Sequence, residues 1–212
     1  MKFWRIVPAL LFFAACRFDL TPAVSLDAVE SFDAAKPIVV EATLKFDWDN
    51  QEKKAALLDF IGRVFVRTDY LAEGPEDAKT LEVGIRLPLV DESALGADSP
   101  GVFYFTREKT DAGITLSLAW DPAKFARAND ELKDLFAASV APADIAYKFM
   151  VSNDGDSARR VAVSSAYVDG SPIPGTREVG LEPGQSVEIR PSNVLQDSLP
   201  VDGRIPLLTV LK

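Results

Sequence analysis

The feature that most constrains this chain is a two-residue rhythm of apolar side chains. Ile38, Val40, Ala42, Leu44, Phe46 and Trp48 alternate with Val39, Glu41, Thr43, Lys45 and Asp47. Successive side chains of a strand point to opposite faces, so this spacing predicts a strand with one face buried. The same rhythm returns at Leu81, Val83, Ile85, Leu87 and Leu89, and Val102–Thr106 and Ile114–Trp120 read as a hairpin around Thr110-Asp111-Ala112-Gly113. The rhythm continues through Ile145–Val151, Val161–Tyr167, Val187–Ile189 and Ile205–Leu211, and Val64–Tyr70 reads as a further strand. Between these runs stand turn formers: Glu73-Gly74-Pro75-Glu76-Asp77, Thr110-Asp111-Ala112-Gly113, Asn153-Asp154-Gly155-Asp156, Asp169-Gly170 and Glu182-Pro183-Gly184-Gln185. Many short strands separated by such turns predict a mainly β fold, an antiparallel β-sandwich.

Two segments depart from the rhythm and predict two peripheral helices. Asp49–Ile61 takes a helical spacing, with Asp49 or Asn50 as cap and Ala56 or Leu57, Phe60 and Ile61 inward. Asp121-Pro122 is a capping residue followed by proline at the first helical position, which starts a helix reaching about Ala138. Its inward face is Phe125, Ala128, Leu132, Leu135 and Phe136. The junction Val140-Ala141-Pro142 is too short and too apolar for a linker, so residues 37–212 are expected to form one sandwich domain.

The chain begins MKFWRIVPALLFFAAC. Lys2 and Arg5 precede an apolar run from Ile6 to Ala15, with small residues at Ala14 and Ala15, which is the layout of a secretory signal over residues 1–15. That run is about half the roughly twenty residues a membrane-spanning helix requires. Phe13-Ala14-Ala15-Cys16 resembles the lipobox of bacterial lipoproteins, with Phe13 where that family usually has Leu. The resemblance implies cleavage before Cys16, a diacylglycerol on its sulfur, and attachment to a membrane. Arg17, where lipoproteins kept at the inner membrane carry Asp, implies delivery to the outer membrane. Residues 16–36 then form the lipidated N-terminus and a lead-in. Within it Phe18, Leu20 and Val24 fit a sheet edge, Ser25 fits the cap of a short helical turn, and a tether is the other reading.

Composition removes several functions. The chain has 212 residues and a net charge of −9, and losing Lys2 and Arg5 with the leader makes the remainder more negative. Phosphate backbones repel such a surface, so no nucleic-acid partner is expected. Histidine is absent, which removes the commonest general base and zinc ligand. Cys16 is the sole cysteine, so no intrachain disulfide can form. No Gly-x-Ser-x-Gly elbow and no glycine-rich phosphate loop occur. Neither an enzyme nor a cofactor is expected.

Acidic clusters raise the question of a metal. Asp47 and Asp49, near Asn50 and Glu52, place oxygen ligands at short spacing, as calcium requires. Asp154 and Asp156 around Gly155 do the same. Strand exit, helix capping and turn formation also call for these residue types, so the reading is no metal site, with these four as the weak candidates. Trp48, Trp120, Tyr104, Tyr147 and Tyr167 read as core or sheet residues, the alternative being a platform for sugars.

The segments Val151-Ser152-Asn153-Asp154-Gly155, Ser165–Pro172, Leu181-Glu182-Pro183-Gly184 and Ser192-Asn193-Val194 give the C-terminal third its character. With the lipobox and Val24-Ser25-Leu26, they resemble a family of short lipoproteins of unknown function found in phages, prophages and their bacterial hosts. The likeness covers the anchor and roughly residues 143–212. That family has no established activity, so it implies a place, the host envelope, and no site residues. The expected function is a membrane-anchored, non-enzymatic interaction module whose partner is an envelope protein, in the service of host-surface protection. The alternative is a carbohydrate- or peptidoglycan-binding lipoprotein, with or without hydrolytic activity.

Overall fold

A computed structural model of the chain describes residues 18–33, 38–47, 51–67, 80–96 and 98–212. The elements are β1 (Phe18–Ser25), α1 (Leu26–Glu30), β2 (Ile38–Asp47), α2 (Lys54–Val64, after a 3₁₀ turn at Gln51–Lys53), β3 (Val66–Arg67), β4 (Thr80–Asp91), β5 (Phe103–Lys109) and β6 (Gly113–Trp120). They continue with α3 (Pro122–Phe136), β7 (Ile145–Tyr147), β8 (Phe149–Ser152), β9 (Arg159–Val168), β10 (Ser171–Leu181), β11 (Ser186–Pro191), α4 (Asn193–Asp202) and β12 (Arg204–Leu211).

The strands do not form a sandwich. Among the described residues, nine of them hydrogen-bond in a closed ring, β9–β11–β8–β1–β2–β4–β5–β6–β12 and back to β9, which makes a β-barrel. β10 lies outside the ring on β9, while β3 and β7 are short additions to β4 and β1. Most pairs are antiparallel, but β1–β7, β1–β8 and β4–β5 are parallel.

Closure is made at β9. Val161 and Ala162 at its start pair with β12, and Ala166–Val168 at its end pair with β11. Between them Ser165 has φ +49°, and the opposing strand β10 shifts register between Ile173 and Thr176. Irregularities of this kind bend a strand and raise its twist. The first half of β9 therefore extends the sheet beyond β12, and the second half turns onto β11. Inward alternation is the same in a sandwich and a barrel, so the apolar rhythm carries no sign of this corner, and Ser165 is not the glycine a left-handed position usually announces.

β1 is a central strand. It pairs with β2 on one edge and with β7 and β8 on the other, so of the two readings of the lead-in the chain adopts the strand. The Ser25 hydroxyl caps α1 by accepting the Ala28 N–H at 3.4 Å, and Leu26 and Val29 are buried. α1 touches β6, four neighbours round the ring from β1, so this short helix crosses one end of the barrel. Arg159 holds it there: its Nε donates to Glu30 at 2.8 Å, and its guanidinium lies 3.8 Å from Asp27.

The opposite end is covered by the two helices expected from sequence. α3 begins as its cap requires, with the Asp121 carboxylate accepting the Lys124 N–H at 2.8 Å, and it stops at Ala137 in the left-handed conformation. α2 buries Leu57, Phe60 and Ile61; α3 fully buries only Leu132, and Leu135, expected inward, is 38% exposed. α2 runs on to Val64, where the sequence pattern predicts a strand; β3 takes up that strand at Val66–Arg67, and residues 68–70 lie outside the described residues.

Candidate functional site

α2 and α3 do not seal against the barrel. Between them and the barrel mouth lies a cavity of about 80 Å³. Its floor is Phe18 and Leu20 of β1, Leu44 of β2, Phe103 of β5 and Ile145 of β7, and its roof is contributed by α2 and α3. No polar surface faces it. Asn129 lines it, yet its Oδ1 is spent on the Val140 N–H at 2.8 Å.

Phe103 is the centre of the aromatic wall. Its ring lies 6.4 Å from Phe65 and from Trp120, 6.0 Å from Phe125 and 6.2 Å from Tyr147, distances at which aromatic pairs attract. Trp120 also meets Phe125 edge-on at 4.9 Å. Two polar atoms sit among these rings without a hydrogen-bond partner among the described residues, the Tyr147 hydroxyl and the Trp120 Nε1. Burial pushes the Tyr147 phenol far above its ordinary pKa, so it stays protonated as a donor. Natural cores rarely leave such groups unsatisfied.

The outer rim of the two helices is polar. Arg63 of α2 bonds Asp59 and reaches across to Glu131 of α3. Lys53, just before α2, donates to the Leu135 carbonyl of α3 at 3.1 Å and lies over the Phe136 ring. These are solvent-facing links, which water and salt screen.

A second pocket, more polar, lies under the loop before β5, lined by Leu95, Gly96, Ser99, Tyr104, Trp120, Asp121 and Pro122. It is where an aromatic platform beside a carboxylate would stand. The Asp121 carboxylate is already engaged, by the Ser99 hydroxyl at 2.5 Å and by the Lys124 N–H. These bonds, the Ser99 one foremost, hold its pKa below the ordinary carboxylate range.

Cys16 and Asp49 lie outside the described residues, as does the side chain of Asp47. Asp154 and Asp156 are exposed in the turn before β9, where Asp154 accepts the Ser152 hydroxyl at 3.0 Å. Among the described residues no group of three or more metal-ligating side chains converges. Of the acidic turn, the residue with the most structural work is Asn153. It is completely buried, and its side chain donates to the carbonyls of Ser157 and Leu181 and accepts from Gly155.

Sequence reasoning also missed Arg107 at the α1 end. It is 1% exposed, its Nε has no hydrogen-bond partner among the described residues, and Asp91 is 3.8 Å away, too far for one. Phe32 offers its ring face at 5.0 Å. The inward rhythm Phe103, Phe105, Arg107 would have placed this charge in the barrel interior, had it been followed past Thr106. A buried charge so weakly partnered costs more than it returns. Arg107→Met is expected to raise stability by about 1 kcal/mol in urea unfolding, because Asp91 keeps its bonds from the Ser93 backbone and hydroxyl. A loss of similar size would show instead that the contacts with Phe32 and Asp91 outweigh the cost of burial.

Among the described residues no helix is long and apolar enough to cross a membrane. No curated protein matches the chain. A family model described as a domain of unknown function, DUF7424, matches residues 19–210, nearly the whole of the barrel and its helices, and the chain belongs to that family.

Proposed function

We propose that this protein is an exported envelope lipoprotein, lipidated at Cys16, that acts by binding another envelope component rather than by catalysis. One observation carries the reading: two boundaries nearly coincide. The leader read from the sequence ends at Ala15, and the family match starts at residue 19. Removal of residues 1–15 leaves the whole matched region, with the lipidated residue just before it. The acyl chains of a lipidated cysteine are enough for stable membrane attachment. Arg17 favours the outer membrane, and the likeness to phage and prophage lipoproteins favours work at the host surface. The carbohydrate reading has less support, since Trp120 packs on Phe103 and Phe125, and Tyr147 is wholly buried.

The test is metabolic labelling of cells expressing the full chain with an alkyne palmitate. The unaltered protein is expected to carry the label and to sediment with membranes, and Cys16→Ala is expected to lose both. Undiminished label on Cys16→Ala would reject the proposal.

A further inference from the structure

We infer that the cavity beneath α2 and α3 is a docking slot for the lipid on this chain's own Cys16. It receives methylenes of one acyl chain and holds the α2–α3 end of the barrel against the membrane. The inference rests on the lipoprotein reading and adds to it a binding site and an orientation.

Position argues first. Phe18 lines the cavity, and Cys16 is two residues upstream. Two residues of extended chain span at most about 7 Å, so the lipid is attached within reach of a residue that lines the cavity. Chemistry argues next, because a wall with no polar surface suits hydrocarbon and excludes sugars and ions. Size sets the share of the lipid that fits. At about 80 Å³ the cavity is smaller than the ~150 Å³ apolar cavity that admits benzene. It therefore takes a short stretch of one chain, and the remaining hydrocarbon is left for the bilayer.

A further observation agrees: the roof is easily parted, since exposed links such as Arg63–Glu131 join the two helices at their rim.

The test uses the full-length chain in cells fed a palmitate analogue that carries both an alkyne and a photoreactive diazirine. After irradiation, the protein is recovered through the alkyne, digested and mapped by mass spectrometry. The expected result is adducts within the same chain on α2 and α3, with Phe60 and Leu132 among the modified residues. Ala128→Phe, which fills the slot, is expected to keep the label and lose these adducts. A labelled Cys16 whose adducts fall only on membrane phospholipid would overturn the docking slot and leave the lipoprotein reading intact. A Cys16 without label would overturn that reading, and the slot with it.

Discussion

Gly113→Ala is expected to be among the most damaging single-methyl additions in this protein. Gly113 opens β6 at φ +152°, a backbone conformation that side chains rarely adopt. A Cβ there would stand 1.8 Å from the Val210 carbonyl oxygen and 3.2 Å from the Leu211 Cα, both backbone atoms of β12. Neither can move aside without parting the two strands. β12 in turn pairs with β9 through Thr209 and Val210, so the damage falls on the seam that closes the barrel. Strain and displaced pairing together are expected to cost about 3 kcal/mol or more. For a domain of this size that lowers the melting temperature by roughly 6–12 °C. Gly175→Ala is the control: its Cβ would meet nothing within 4 Å, and its φ is not positive. Equal melting temperatures for the two variants would refute the close approach of β6 and β12.

Asn153→Ala should cost a comparable amount, for a different reason. The Nδ2 donates at 2.9 Å to Ser157 and at 2.8 Å to Leu181, and the Oδ1 accepts from Gly155 at 3.2 Å. Its backbone is engaged as well, with Gln185 and Gly184. One residue thus joins the turn before β9 to the end of β10, through its side chain, and to the turn before β11, through its backbone. Truncation leaves carbonyls and an N–H without partners in a buried place, at about 3 kcal/mol in all. Asn153→Asp, though isosteric, is expected to be worse than alanine, because it sets a carboxylate against two carbonyl oxygens. Urea midpoints measured at constant m-value decide the order. If aspartate were tolerated better than alanine, the donor role of Nδ2 would be wrong.

The elements with an inward face are legible in the amino-acid sequence. β2, β4, β6 and β9 follow the apolar alternation, and α3 starts where Asp121-Pro122 says it should. Legibility fails where burial fails. β10 has only Ile173 and Leu181 buried, since it hangs outside the ring, so its eleven residues carry no rhythm to read. α4 is hidden by Pro200, a residue that argues against a helix interior, although Ser192 caps it and Gly203 ends it. The segment after Ile145 reads as one strand, but the chain breaks at Lys148, whose N–H turns to the Leu20 carbonyl. The cavity is beyond reach for another reason. Phe60 and Leu132 announce two apolar helix faces, and nothing in either pattern says that the faces meet imperfectly.

The position of β1 has a kinetic consequence. Its neighbour β2 follows it closely in the chain, but its partners on the other edge, β7 and β8, lie in the C-terminal third, and the seam with β9 waits for the final strand. Contacts between distant parts of a chain form slowly, because the entropy of joining them must be overcome first. A polypeptide emerging from its N-terminus cannot complete this barrel until Arg204–Leu211 has been synthesised. Until then the long N-terminal portion lacks the strands that complete its edges.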